Sequence, residues 1–92
     1  MKIFRWNEDK NRQLQMERDV SFEQIVFTIE NGEVIDIIRH PNQSKYPGQR
    51  IYVLLIHDYI YLVPFVDSDD ERFLKTIIPS RRFTKLHREG KL

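Results

Sequence analysis

Apolar residues recur along this chain at two different periods, a helical one before Gly32 and a strand-like one after it. Phe22, Ile25, Val26 and Ile29 keep the i, i+3, i+4, i+7 spacing of a core-facing helical stripe. The start of that helix is written twice. Ser21 and Gln24 make a capping box, and Val20 and Ile25 hold the positions of a hydrophobic staple. Asn31-Gly32 supplies its left-handed stop. An earlier helix is expected from Asn7, a capping residue followed by Glu8 and Asp9 in the first turn, to about Arg18. Its only apolar members are Leu14 and Met16, so it should be mostly solvated and present Lys10, Arg12 and Arg18. Before it, residues 2–6 alternate, with Ile3 on one face and Phe4 and Trp6 on the other, as in a short strand.

Beyond Gly32 four strand-like runs follow: Val34–Arg39, Arg50–Ile56, Tyr59–Val66 and Arg72–Ser80. His57-Asp58 makes the middle pair a hairpin, and the acidic stretch from Asp67 to Glu71 links the next pair as a solvated tip. Pro64 has no N–H for a ladder, which predicts a bulge or a locally unpaired position there. These elements define one α+β domain over residues 1–92: a short N-terminal strand, two helices, a meander of about four antiparallel strands, and a short basic C-terminal tail or helix.

Alternation places Arg50, Tyr52, Leu54 and Ile56 on one face of the hairpin with Tyr59 and Tyr61, and Ile51, Val53, Leu55, Ile60 and Leu62 on the other. The aliphatic face is the expected seat for the helices. The face with Arg50, Tyr52 and Tyr61 combines rings and cations, which suits single-stranded nucleic acid, where bases stack and phosphates meet Arg or Lys. It equally suits ordinary strand tyrosines with wet hydroxyls.

Charge divides the chain more sharply than its total of +1 suggests. Residues 75–92 hold six basic and one acidic side chain, while residues 1–74 hold nine basic and thirteen acidic. Positive charge gathered at one end of a small domain favours polyanionic partners. With no cysteine, disulfides and thiol catalysis are excluded, and a reducing compartment fits. The longest apolar run, Tyr59 to Val66, is far short of the ~20 residues of a membrane helix, and the start has no secretory h-region, so a cytoplasmic protein without a membrane partner is expected.

The candidate chemistry rests on His, Lys, Arg and Tyr. His40 ends a strand and opens the polar loop Pro41–Gly48 that contains Lys45; a neutral imidazole there is suited to taking a proton from a ribose 2′-hydroxyl. A loop histidine with no role is the blander alternative. Lys75 and one of Arg81 and Arg82 share a face if the last strand runs to its end, where two cations can clamp a scissile phosphate. Lys85 extends the basic tail. No histidine stands at metal-ligand spacing, no Gly-rich phosphate loop occurs, and no cofactor is expected.

Phe4-x-Trp6-Asn7-x-x-Lys10, Val20-Ser21-Phe22-Glu23, Gly48-Gln-Arg50 and Ile77-Ile78-Pro79-Ser80-Arg81-Arg82 together resemble the BrnT family of toxins, over nearly the whole chain. The resemblance implies the compact RelE-like ribonuclease fold. It implies a toxin of a type II toxin–antitoxin pair, inhibiting translation by metal-independent attack of a ribose 2′-oxygen on the adjacent phosphate of mRNA, either free or on the ribosome. It also implies a nearby-encoded ribbon-helix-helix antitoxin. Arg50, Arg81 and Arg82 match the family's basic positions and Lys10 its lysine after the Trp motif. Glu17-Arg18-Asp19 stands where the family has Lys-His-Gly, and Pro79 is new to the ending. The expected catalytic set is thus Arg50, Arg81, His40 and Lys75, with RNA bound by Lys10, Lys45, Tyr52, Tyr61, Arg82 and Lys85. The alternative is a non-catalytic module that docks an acidic protein or RNA through the same basic face.

Overall fold

The capping signals around Ser21 act as written. In the computed structural model, which describes residues 2–92, the Ser21 hydroxyl accepts the Gln24 N–H and the Gln24 side chain accepts the Ser21 N–H, opening a helix over Phe22–Glu30. The full order is β1 (Ile3–Arg5), α1 (Glu8–Arg18), α2 (Phe22–Glu30), β2 (Val34–Arg39), β3 (Arg50–Ile56), β4 (Tyr59–Asp67), β5 (Glu71–Leu74), β6 (Ile78–Pro79) and α3 (Arg81–Arg88). Asn7 caps α1 through the Lys10 N–H, and Gly32 takes φ +72° to end α2.

Strands β2 to β5 form the expected antiparallel meander, and β1 returns to pair parallel with β5, giving the order β1-β5-β4-β3-β2. The sheet is therefore mixed. A parallel neighbour needs a crossover, and the two helices with the meander provide it.

Which pleat the helices cover differs from the sequence expectation. Leu14 of α1 and Phe22 and Ile25 of α2 pack with Val20 against Tyr52, Leu54, Ile56, Val63, Phe65, Leu74 and Ile77, with Phe4 of β1 and Trp6 just after it closing the layer. So the pleat that carries Arg50 and Tyr52 is the core side. The reason is that its polar atoms reach the rim: Tyr52, 2% exposed, stacks on Phe65 at 4.4 Å while its hydroxyl receives a hydrogen bond from Arg72. The opposite pleat is a second apolar layer in which Ile51, Val53 and Ile60 are buried and Leu55 and Leu62 are partly exposed.

The run Arg72–Ser80 is not one strand. β5 stops at Leu74, the chain leaves the ladder, and β6 rejoins β4 opposite Tyr61 and Leu62. Pro64 explains the gap. It pairs with Ile51 of β3 without a register shift, and on its other side its carbonyl accepts the Lys75 N–H at 2.8 Å just where β5 departs, so the missing donor costs no bond. Arg18 ties this excursion down by donating to the Ile77 carbonyl at 2.7 Å, so it is not one of the free surface cations of α1.

Ser80 then caps α3, accepting the Phe83 N–H. Ser80 N–H donates to the Ile60 carbonyl and Ile60 N–H to the buried Thr84 hydroxyl, so α3 takes over the β4 edge where β6 ends. Arg81 and Arg82 accordingly lie in the first turn of a helix and do not alternate across a strand end.

Candidate functional site

Two expected residues meet although 35 positions separate them. His40 and Lys75 line one open cleft of about 360 Å³ with Tyr46, Gln49, Pro64, Thr76 and Ile78. The β5–β6 excursion places Lys75 and Thr76 there, the segment after β2 supplies His40, Tyr46 and Gln49, and β4 and β6 add Pro64 and Ile78.

That loop is held by its own side chains. Gln43 donates to the His40 and Gln49 carbonyls, at 2.8 and 3.1 Å, and accepts from Gly48 N–H; Asn42 Oδ1 accepts the Lys45 N–H at 3.1 Å. Gly48 sits at φ +74°, a left-handed turn for which glycine carries no penalty. The result sets the Tyr46 ring 4.4 Å from the His40 ring, with the Lys45 ammonium 5.3 Å from the Tyr46 centroid.

The orientation of His40 changes its chemistry. Its Nδ1 accepts the Asn42 backbone N–H at 3.0 Å, so the neutral ring carries its proton on Nε2 and offers a donor at that nitrogen. This geometry fits hydrogen bonding to a phosphate oxygen better than abstraction of the 2′-hydroxyl proton by a free Nε2. Lys75 adds a positive charge and Thr76 a hydroxyl. Its ammonium stands 5.5 Å from the Phe73 ring and is in no ion pair among the described residues.

Arg50 is built into a different site. Cross-strand from Phe65 on the core pleat, it binds Asp67 at 2.8 Å and lies 5.0 Å from the Phe65 ring centroid. Arg72, which the sequence reading passed over, grips the same carboxylate with Nε at 2.6 Å and Nη2 at 2.9 Å, and its guanidinium lies 4.7 Å from the same ring. Asp67 therefore belongs to strand β4 in register with Arg72, and not to a solvated tip. The hydrogen bond from Arg72 holds its carboxyl below the usual carboxylate range, against the opposing effect of burial, and the carboxylate in turn raises Arg72. Two guanidinium groups and one carboxylate leave a local excess of one positive charge, with Arg50 half-exposed.

The other residues are scattered. Tyr61 lies in a groove of about 560 Å³ beside α2, with Arg18, Asp19, Gln24 and His57, and meets Tyr59 edge-on at 5.9 Å. Tyr52 is sealed in the core and offers no ring to a base. Lys10 is half-buried on α1, and Arg81, Arg82 and Lys85 are exposed on α3 without ion-pair partners among the described residues. Arg81 and Arg82 put positive charge next to the positive end of a helix dipole, which costs the fold stability and strengthens attraction for anions.

Tyr46, Gln49 and Thr76 were missed as site residues, as were Arg72 and Asp67. A signal existed for the first two, since their loop is polar and long for a strand connection; Thr76 depends on a strand break that only the pairing of Pro64 reveals.

Comparison with family models, with curated proteins and with solved structures finds no match for this chain. No helix among the described residues is long and apolar enough to cross a membrane.

Proposed function

We propose that the protein is a cytoplasmic RNA-cleaving toxin of a toxin–antitoxin pair, working by transfer of a phosphate from the 5′-oxygen to the neighbouring 2′-oxygen. The observation that carries this reading is the cleft that joins a fixed imidazole donor, His40 Nε2–H, to the ammonium of Lys75, which is in no ion pair among the described residues. In this reading Lys75 holds a non-bridging phosphate oxygen and Thr76 and Gln49 orient it. On protonation at Nδ1 His40 gives up the Asn42 N–H contact, and its Nε2 proton passes to the departing 5′-oxygen while the 2′-oxygen forms the new P–O bond. The 2′-hydroxyl proton passes to solvent water. A cyclic phosphate and a 5′-hydroxyl end result. Arg81, Arg82, Lys45 and Lys85 supply longer-range attraction for the RNA backbone. The α+β element order and the basic ending are those that the resemblance to the BrnT family implies, and they support the reading.

One observation favours the non-catalytic alternative. Arg50 and Tyr52, expected to touch RNA, are engaged inside the fold by Asp67 and Arg72. Incubation of the purified protein with RNA in chelator separates the two. New 5′-hydroxyl ends that disappear in Lys75→Ala and fall at least about a hundredfold in His40→Gln are expected for the toxin. Intact RNA at high protein concentration, with growth unaffected by well-expressed protein, would overturn it.

A further inference from the structure

From Asp19 through Ile38 the chain carries five acidic residues and no lysine or arginine, the reverse of its C-terminal end. The fold converts this stretch into one surface. Helix α2 and the β3–β4 hairpin bound a groove of about 550 Å³ lined by Glu23, Phe27, Thr28, Glu33, Leu55 and Ile56. Gln24 and His57 continue it into the neighbouring groove that reaches Tyr61.

Phe27 is 66% exposed on this helix although Phe22 and Ile25 are fully buried, so a large ring is held on the rim of an apolar floor made by Leu55 and Ile56. None of Glu23, Glu30 and Glu33 is in an ion pair among the described residues; Glu23 only accepts a hydrogen bond from Asn11. An exposed aromatic over an apolar floor, framed by unpaired carboxylates, is complementary to a segment with apolar side chains on one face and Lys or Arg beside them.

We infer that this groove docks a basic amphipathic segment of a partner protein, with Phe27 as the central anchor and Glu23 and Glu33 pairing with its cations. The groove runs along α2 to the turn end of the hairpin and shares no lining residue with the His40–Lys75 cleft, so a partner seated in it need not cover that cleft. This inference does not depend on the toxin reading.

The test uses a fluorescein-labelled, 18-residue helical peptide of leucine and lysine at amphipathic spacing, with a leucine–glutamate version as control. Its binding to the full chain is followed by anisotropy and by amide chemical shifts. The leucine–lysine peptide should shift residues 23–33 and 55–57, bind at least ten times more tightly than the control, and weaken about tenfold in Phe27→Ala; Glu23→Gln with Glu33→Gln should flatten the salt dependence. Shifts centred on α3 or on the His40 loop, or an unchanged affinity in Phe27→Ala, would overturn the inference. So would a concentration-dependent dimer that Phe27→Ala dissolves, because a second copy would then be the occupant. RNA cleavage by Phe27→Ala reports separately on the enzymatic reading.

Discussion

Arg50 and Arg72 donate to the same oxygen of Asp67, at 2.8 and 2.9 Å, from two different strands. The shared carboxylate locks β3, β4 and β5 together at the open end of the core. It also explains how two arginines can lie beside Phe65 without mutual repulsion deciding the local structure.

The ionisation of Asp67 should therefore be visible in stability. Its folded carboxyl is held below the ordinary value of ~3.9, so its contribution is complete above that value and is lost as pH falls through the lower folded one. Urea unfolding midpoints measured from pH 6 to pH 2 should drop over the acid limb, and Asp67→Asn should be destabilised at pH 6 with a shallower drop. Parallel curves for the two proteins would show that Asp67 does not titrate with folding.

Arg81 should separate function from stability in opposite directions. Replacing it by Glu puts a negative charge in the first turn of α3, worth about 0.3–1 kcal/mol of stabilisation. The same change should weaken RNA affinity and relieve any growth arrest. A thermal midpoint that falls along with activity would assign Arg81 a structural role.

Asn11, which with Leu14 forms the buried side of α1, is 3% exposed and joins the two helices. Its carbonyl accepts the Phe22 N–H at 2.8 Å and its amide donates to Glu23 at 2.7 Å. Asn11→Leu should cost about 1–3 kcal/mol in denaturant unfolding, because it strands a buried backbone donor. A cost near zero would mean that water replaces it.

The β3–β4 turn stores strain. His57 and Asp58 both take left-handed conformations, φ 51° and 63°, where a two-residue hairpin favours Asn-Gly. The double change His57→Asn, Asp58→Gly should raise stability by about 1 kcal/mol, read as a higher midpoint in thermal unfolding. No gain would indicate that the exposed Asp58–Arg88 pair, 3.6 Å apart, offsets the strain.

How much of this was legible beforehand depends on the range of the interactions involved. Helix α2 was, because Ser21, Gln24 and Gly32 act on their own neighbours. The meander was, because each strand pairs with the next. The parallel return of β1 was not, since nothing in Ile3–Arg5 specifies a partner 68 positions away. Nor was the buried pleat. Alternation assigns residues to two faces but does not say which is covered, and Tyr52 looks wet until Arg72 is known to reach its hydroxyl. The His40–Lys75 cleft was half legible: both residues stood out separately, while their meeting depends on the chain leaving its ladder at Pro64.

That parallel return also sets an order of assembly. The β3–β4 hairpin closes over two residues and can form early, whereas Ile3 must find Glu71 across most of the chain, the slow kind of closure. β1 is expected to dock late, and until it does Phe22 lacks the Trp6 ring stacked on it at 5.7 Å. A protease acting on refolding molecules should therefore trim the first strand while the hairpin survives, and the same edge is the one most exposed to mispairing with a neighbour during synthesis.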